Sequence, residues 1–278
     1  MKYWRFLLTG EKDSFFNMAL DETILQSCQN GQASPTLRLY LWKPPGVSMG
    51  YFQSLEKTVD LNKCRKNNID VVRRITGGRA VLHENEITYS ICASTHQYPE
   101  LGENINATYR QISFALLESL KILKVFGEWV KPKREGIQVT ENSDLFKPCF
   151  ISNSRYEITV DGKKLIGSAQ RRFKNSLIQH GSIPLGKGKV NLPDLLSEEN
   201  NREKMKEKLE SKSTNLEKIL KRKVGYEEVI SALRKGFSDF FEVEMVESDL
   251  TQEEIETAQA LREKKYLTDE WNFRKKYL

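Results

Sequence analysis

Apolar and polar positions along this 278-residue chain alternate in two rhythms, one helical and one extended. Residues 13–29 place Phe16, Ala19, Leu20 and Ile24 at helical spacing, with Asp13 or Ser14 as the cap. Residues 36–42 alternate as a strand and stop at Pro44-Pro45-Gly46. A short strand at 47–51, a short helix at 60–67 and a strand at 71–74 lead into Gly77-Gly78. Residues 80–83 and 87–92 read as a hairpin around Glu84-Asn85-Glu86, and Ile105, Tyr109, Ile112, Leu116, Leu120 and Leu123 mark an amphipathic helix. Farther on, alternating runs at 156–160 and 163–167 flank Asp161-Gly162, the strongest short hairpin signal. A third strand is expected at 176–183.

After Leu196 the pattern changes. Residues 197–213 are almost all polar, as in a solvated helix or linker. Beyond them, Val229, Ile230, Leu233, Phe237 and Phe241 share one helix face, widened by Phe240. A short strand at 243–246 follows, and Thr251-Gln252-Glu253-Glu254 forms a capping box opening a last helix. Strands rarely separated by helices predict an α+β fold, a mixed β-sheet core flanked by helices. The expected division is a catalytic domain at 1–196, then a linker and small C-terminal accessory segment at 197–278.

Composition narrows the function classes. Hydrophobic residues at 38% and charged residues at 29% describe an ordinary globular chain with a well-charged surface. No apolar run approaches the roughly 20 residues that span a bilayer. The apolar patch near the start is too short for a signal sequence and reads as a first strand, so the cytoplasm is the expected location. The net charge of +6 favours acidic partners, but no basic stripe with interleaved aromatics points to nucleic acid. His83, His96 and His180 are dispersed without metal-ligand spacing, so no metal is expected. Cys28, Cys64, Cys92 and Cys149 lack regular spacing and are expected to be free thiols.

Three stretches bring candidate chemistry. In residues 71–83 a β-branched run carries Arg73 and Arg74 into Gly77-Gly78, then resumes and ends in His83. Paired glycines permit positive φ and close approach, and buried arginines need acidic or polar partners. The plain alternative is a tight hairpin turn with solvated arginines. In the second stretch, a two-residue loop at Asp161-Gly162 pairs Val160 with Lys163, Thr159 with Lys164 and Ile158 with Leu165. Lys164 then shares a face with Thr159 and Glu157, looking outward or into a cleft, and Gly167-Ser168-Ala169 leaves room beside it. The plain alternative is a solvent-exposed lysine. The third stretch holds Cys149, which follows Pro148 between bulky apolar residues and taken singly reads as an inert core thiol. The other three cysteines are better explained structurally, and His83 and His180 also fit as satisfied histidines at strand ends.

In combination these stretches are recognisable. Residues 73–83, 162–170 and 179–182 (Gln179-His180-Gly181-Ser182), with Phe16-Asn17-Met18-Ala19-Leu20-Asp21-Glu22 and Ser48-Met49-Gly50-Tyr51-Phe52-Gln53, resemble the lipoate/biotin protein ligase superfamily. The closing Asp269-Glu270-Trp271-Asn272 looks like its C-terminal signature. Within the superfamily the chain is most similar to the LipM-type octanoyltransferases. Ligases commonly carry a third glycine where this chain has Arg79, and Cys149 stands where the LipM group keeps its acyl-carrying cysteine. One departure is Glu84, where the family usually has aspartate.

The resemblance implies that Cys149 is the nucleophile and that Lys164 lowers its pKa. It also implies substrate binding by Arg74, Thr76, Gly77, Gly78, Arg79, His83, Gly167, Ser168, Ala169, His180 and Gly181. The implied reaction moves an octanoyl group from octanoyl-acyl carrier protein to a lysine of a lipoyl domain, with the glycine cleavage H protein as acceptor. No cofactor is implied, because the donor is already a thioester. A monomer without nucleic-acid or membrane partners is expected. Three alternatives stay open: an amidotransferase moving octanoyl from H protein to other lipoyl domains, an ATP-dependent lipoate-protein ligase, and a non-catalytic acyl- or carrier-binding module.

Overall fold

The computed structural model describes residues 2–130, 157–198 and 201–273. Its strands are β1 (Tyr3–Lys12), β2 (Thr36–Trp42), β3 (Gly46–Met49), β4 (Asp70–Arg73), β5 (Val81–His83), β6 (Glu86–Ser94), β7 (Glu128–Val130), β8 (Glu157–Val160), β9 (Lys163–Arg172), β10 (Ser176–Pro184) and β11 (Glu244–Glu247). The helices are α1 (Ser14–Gln29), α2 (Leu55–Thr58), α3 (Leu61–Lys66), α4 (Ile105–Ile122), α5 (Leu192–Leu195), α6 (Arg202–Lys212), α7 (Leu216–Leu220), α8 (Tyr226–Phe241), α9 (Gln252–Leu261) and α10 (Asp269–Phe273). Local chemistry explains several boundaries. Asp13 caps α1 by accepting from the Phe16 amide, and the Thr251–Glu254 capping box opens α9.

Eight strands form one mixed sheet in the order β11-β1-β2-β6-β10-β9-β8-β7, and a smaller sheet runs β4-β3-β5. This is the α+β architecture expected. The central strands are buried on both faces, so their alternation sorts residues between two interiors rather than between core and water. Leu37, Leu39, Tyr89, Ile91 and Leu177 pack into the main apolar core, which also holds Ile112 and Leu116 of α4 and Leu233 and Phe237 of α8. Their sequence neighbours Arg38, Tyr40, Thr88, Ser90 and Ile178 are just as buried. On that side α1 and α9 contribute Met18, Leu20, Ile24 and Ala258 to a second core.

Two pairings differ from the sequence expectation. Strands β5 and β6 do not form a hairpin: β5 pairs antiparallel with β3 in the small sheet, while β6 lies between β2 and β10. Asn85 sits between them in the left-handed region at φ 50°, turning the chain from one sheet into the other. Nor is Gly77-Gly78 a hairpin turn, because β4 and β5 flank β3 on opposite sides.

At Asp161-Gly162 the turn forms as expected, with Val160 opposite Lys163 and Thr159 opposite Lys164. Ile158, however, stands opposite Ile166 rather than Leu165. Leu165 is an extra residue in β9, a β-bulge, whose side chain is buried in the main core.

The chain beyond 197, expected as linker and accessory segment, is tied into the rest of the fold. β11 extends the main sheet parallel to β1, and α8 packs its apolar face into the main core. Among the described residues no helix is long and apolar enough to cross a membrane.

Candidate active site

A cavity of about 220 Å³ opens between the loop after β4 and strands β9 and β10. Of the expected substrate-binding residues, Arg74, Gly78, Arg79, His83, Gly167, Ser168, Ala169, His180 and Gly181 line it. Met18, Tyr40, Trp42 and Val81 give the lining an apolar component. Thr76 and Gly77 are not on the wall: the buried Thr76 Oγ1 bonds His180 Nε2 at 2.7 Å, and the Gly77 carbonyl accepts from Arg74. A larger open cleft of about 520 Å³ lies elsewhere, beside α1 and the start of α9. Arg5 on its wall is already paired with Glu254 and Ser248.

The two arginines before the glycines have different tasks. Arg73 donates to the carbonyls of Gly50, Tyr51 and Gln53 and to those of Trp271 and Asn272. In return Asn272 Oδ1 accepts from the Arg73 amide and Trp271 Nε1 donates to its carbonyl. The C-terminal Trp271-Asn272 is thereby locked onto β4 and the 50–53 turn. Arg74 gathers the glycine loop instead, donating to the carbonyls of Ser48, Gly77 and Arg79 and to the hydroxyls of Ser48 and Thr76. Both guanidinium groups are buried and answered by oxygen acceptors, so the reading of solvated arginines on a plain turn does not hold.

Gly78 carries the conformational demand of this loop. It lies at φ +91°, and an added Cβ would stand 2.7 Å from Arg74 Nη2. Gly50 is required for a different reason: its Cβ would collide with the Gly78 carbonyl. The close approach that the paired glycines foretold is therefore between two turns of the same chain.

Beneath the cavity runs a buried polar network. Asp21 of α1 accepts from Arg38 Nη1 at 2.7 Å, from the Tyr40 hydroxyl at 3.0 Å and from His180 Nδ1 at 2.9 Å. Burial alone would push the Asp21 carboxyl up, but the bonds and charges of His180 and Arg38 together hold it below its ordinary range. Burial lowers His180 most, with the Arg74 charge adding to it and Asp21 opposing, so the ring is held neutral at physiological pH. Nδ1–H then serves Asp21, and Nε2 accepts from Thr76. A second relay mirrors the first: His83 Nδ1 meets Glu86 Oε1 at 3.1 Å and His83 Nε2 meets Ser48 Oγ at 2.8 Å.

Lys164 is not on the cavity wall, but the bulge sets it on the cavity's side of the sheet. Paired residues share a face and successive residues alternate. Lys164 goes with Thr159 on one face, and Ile166 with Ile158 on the other. Gly167 and Ala169 therefore return to the face of Lys164, as do their partners Ser182 and His180. Lys164 is buried at 3% exposure and its ammonium meets Glu157 Oε1 at 2.6 Å. Cys149 lies outside the described residues. Burial pushes the Cys28 thiol up to about 12 and Cys64 to about 11, and it raises Cys92 as well. These three are poor nucleophiles.

A family model, that of the lipoyl protein ligase A/B catalytic domain, matches residues 13–238. The chain belongs to this family. It is 38% identical to an octanoyltransferase LipM of Lysinibacillus sphaericus, over 99% of this chain and 100% of that one. It is 40% identical to an octanoyltransferase LipM of Kyrpidia tusciae over the same shares. Among solved structures, a bi-partite lipoate protein ligase from Thermoplasma acidophilum superposes with TM-score 0.81 at 27% identity, over 100% of both chains. A lipoate-protein ligase A bound with ATP superposes with TM-score 0.79 at 28% identity, over 98% of both chains.

Several site residues of this family member escape local sequence reasoning. Asp21 appeared only inside a motif, and Arg38, Tyr40, Trp42, Ser48 and Glu86 were not singled out. Arg38 did leave a signal. A charged residue between Leu37 and Leu39 on a strand buried on both faces must meet a partner inside the protein. Glu84, the departure from the family pattern, accepts from the Val190 amide at 3.1 Å and lies off the cavity wall.

Proposed function

We propose that the protein transfers an octanoyl group from octanoyl-acyl carrier protein, through a thioester on Cys149, to a lysine of a lipoyl domain, with the glycine cleavage H protein as acceptor. Octanoyl transfer is the activity named for the full-length relatives, and acyl transfer is the class of chemistry assigned here. One observation carries the reading: a cavity with an apolar lining and small-residue walls opens on the sheet face that bears a buried lysine. Burying the seven chain carbons beyond the carbonyl at ~0.8 kcal/mol each contributes about 5–6 kcal/mol, enough to discriminate chain length.

In this reading the Cys149 thiolate attacks the donor thioester, forms acyl-Cys149 and releases the carrier. The Lys164 ammonium favours the thiolate by Coulomb attraction. The acceptor amine then attacks the new thioester and the sulfur leaves. No ATP is consumed, since each acyl bond broken is a thioester. The surplus of positive charge suits an acidic carrier, so binding weakens as salt rises. The reaction is assigned to the cytoplasm, and the working unit to a monomer.

Incubation with octanoyl-acyl carrier protein should add one octanoyl mass that hydroxylamine removes and Cys149→Ser abolishes. A thioester adduct persisting in Cys149→Ser rules out this nucleophile. Lys164→Ala should abolish turnover and slow alkylation of Cys149 at neutral pH. Repeating the loading with octanoyl-H protein as donor separates this reading from the amidotransferase. A product made from free octanoate only when ATP is present would replace it by a ligase.

A further inference from the structure

Two acid–histidine–hydroxyl relays converge on Arg74, and they differ in one respect that bears on chemistry. In the first, Asp21 is compensated by Arg38 and Tyr40 as well as His180, and the terminal hydroxyl of Thr76 is not on the cavity wall. In the second, Glu86 Oε1 meets His83 Nδ1 and the Thr88 hydroxyl, its Oε2 is buried with no hydrogen-bond partner among the described residues, and Ser48 lies on the wall. A buried carboxylate oxygen left unanswered costs stability, so packing does not explain it. It leaves a buried carboxyl group aimed at one imidazole and one hydroxyl.

Several contacts hold that imidazole in place. The Trp42 ring stacks on His83 at 3.9 Å with an interplanar angle of 11°. Trp42 Nε1 donates to Thr88 Oγ1, whose hydroxyl donates to Glu86 Oε1 at 2.6 Å. With Nδ1–H donated to Glu86, Nε2 presents its lone pair and the Ser48 hydroxyl donates to it. Ser48 Oγ also accepts from Arg74 Nη1 at 3.0 Å. A hydroxyl has one donor and two acceptor sites. One lone pair of Ser48 remains, on a residue of the cavity wall.

We propose that Ser48, backed by His83 and Glu86, takes the proton that the acceptor amine releases as it attacks the bound acyl group. This rests on the acyl-transfer reading above. The neutral amine forms the C–N bond while the C–S bond breaks. Its N–H proton passes to Ser48 Oγ as the Ser48 proton moves to His83 Nε2, and the imidazolium so formed faces the Glu86 carboxylate. The proton returns through Ser48 to the departing thiolate, leaving amide, thiol and a neutral relay. Ser48 is the group that touches the reacting nitrogen; His83 and Glu86 are positioning residues acting through it.

The test separates the two half-reactions. Acyl-enzyme prepared with octanoyl-acyl carrier protein is isolated and discharged either to a lipoyl domain or to hydroxylamine. Hydroxylamine is a strong nucleophile that attacks thioesters in free solution and gives its proton to solvent rather than to an enzyme group. In Ser48→Ala, loading and discharge to hydroxylamine should proceed as in the wild type, while transfer to the lipoyl domain falls about 100-fold. Transfer at the wild-type rate overturns the proposal. So does an equal loss of loading, hydroxylamine discharge and transfer, which marks Ser48 as a mere anchor for Arg74. Should Ser48→Ala not fold, Glu86→Gln keeps the shape and an acceptor for Nδ1–H but removes the charge, and it should slow the transfer step alone. A wild-type protein that never acquires the octanoyl mass would defeat the acyl-transfer reading itself, whereas a loaded wild type with unimpaired variants defeats only this inference.

Discussion

The two faces of the main sheet are equally dry and differently built. Against α4 and α8, aliphatic and aromatic side chains interlock, and hydrophobic burial is the main cohesive force. Against α1, the alternate residues of the same strands include Arg38, Thr88 and His180, held by directed bonds to Asp21, Asn17 and Glu86. A hydrophobic core tolerates repacking, whereas a hydrogen-bonded one fixes angles, because each member has few partners and each partner is buried. The cavity sits on the second face, where side-chain direction matters most. One alternating pattern thus builds a cohesive half and an aiming half.

Removing one member of each half sharpens that contrast. Asp21→Asn leaves the Arg38 guanidinium without its buried counter-charge and should destabilise the fold by about 3–5 kcal/mol. It should also impair acyl transfer by what folded protein remains. Urea unfolding with parallel turnover measurements checks both. Phe237→Ala on the apolar face should cost a similar 3–5 kcal/mol through cavity formation. Its turnover per folded molecule should stay intact; equal functional loss in both variants would break the distinction.

Acid should find the aiming half first. His180 has a folded-state pKa below its ordinary 6.5, chiefly through burial, so the unfolded chain takes up that proton where the folded chain does not. Stability should therefore fall as the pH drops from about 6.5 towards the folded value. Asp21, whose pKa is held below 3.8, loses its contribution only in stronger acid. Denaturant midpoints measured across this range should flatten in His180→Gln; an unchanged slope would show that another group titrates there.

The smallest effect concerns the two loop glycines. Gly78→Ala, at positive φ and against Arg74, should cost about 1 kcal/mol and weaken substrate loading. Gly77→Ala meets no atom within 4 Å and should be nearly silent in the same assays.

What was legible from the sequence was local. Asp13 marked the start of α1, Pro44-Pro45 the stop after β2, and Asp161-Gly162 a turn between alternating strands, because each signal acts within a few residues. Gly78 and Arg79 of the glycine loop, Gly167–Ala169 and His180-Gly181 were expected together and line one cavity, which Thr76 and Gly77, expected with them, do not. Sheet membership was not legible: residues 80–83 and 87–92 look like a hairpin in a short window, and only distant pairing assigns them to separate sheets. Asp21, Ser48 and Glu86 escaped for the same reason, since the partners that give them meaning lie far along the chain. The bulge at Leu165 leaves no mark in composition.

Two lysines in succession, Lys163 and Lys164, are chemically identical, yet one is exposed and the other is enclosed beside Glu157. Counting back from Gly167 in unbroken alternation assigns the inner seat to Lys163; the single supernumerary Leu165 reverses the parity and hands it to Lys164. Deleting Leu165 would leave Lys164 in that seat, because Ile166 and Gly167 then follow it in regular alternation. Straightening the strand with Leu165 retained would instead turn Lys163 inward.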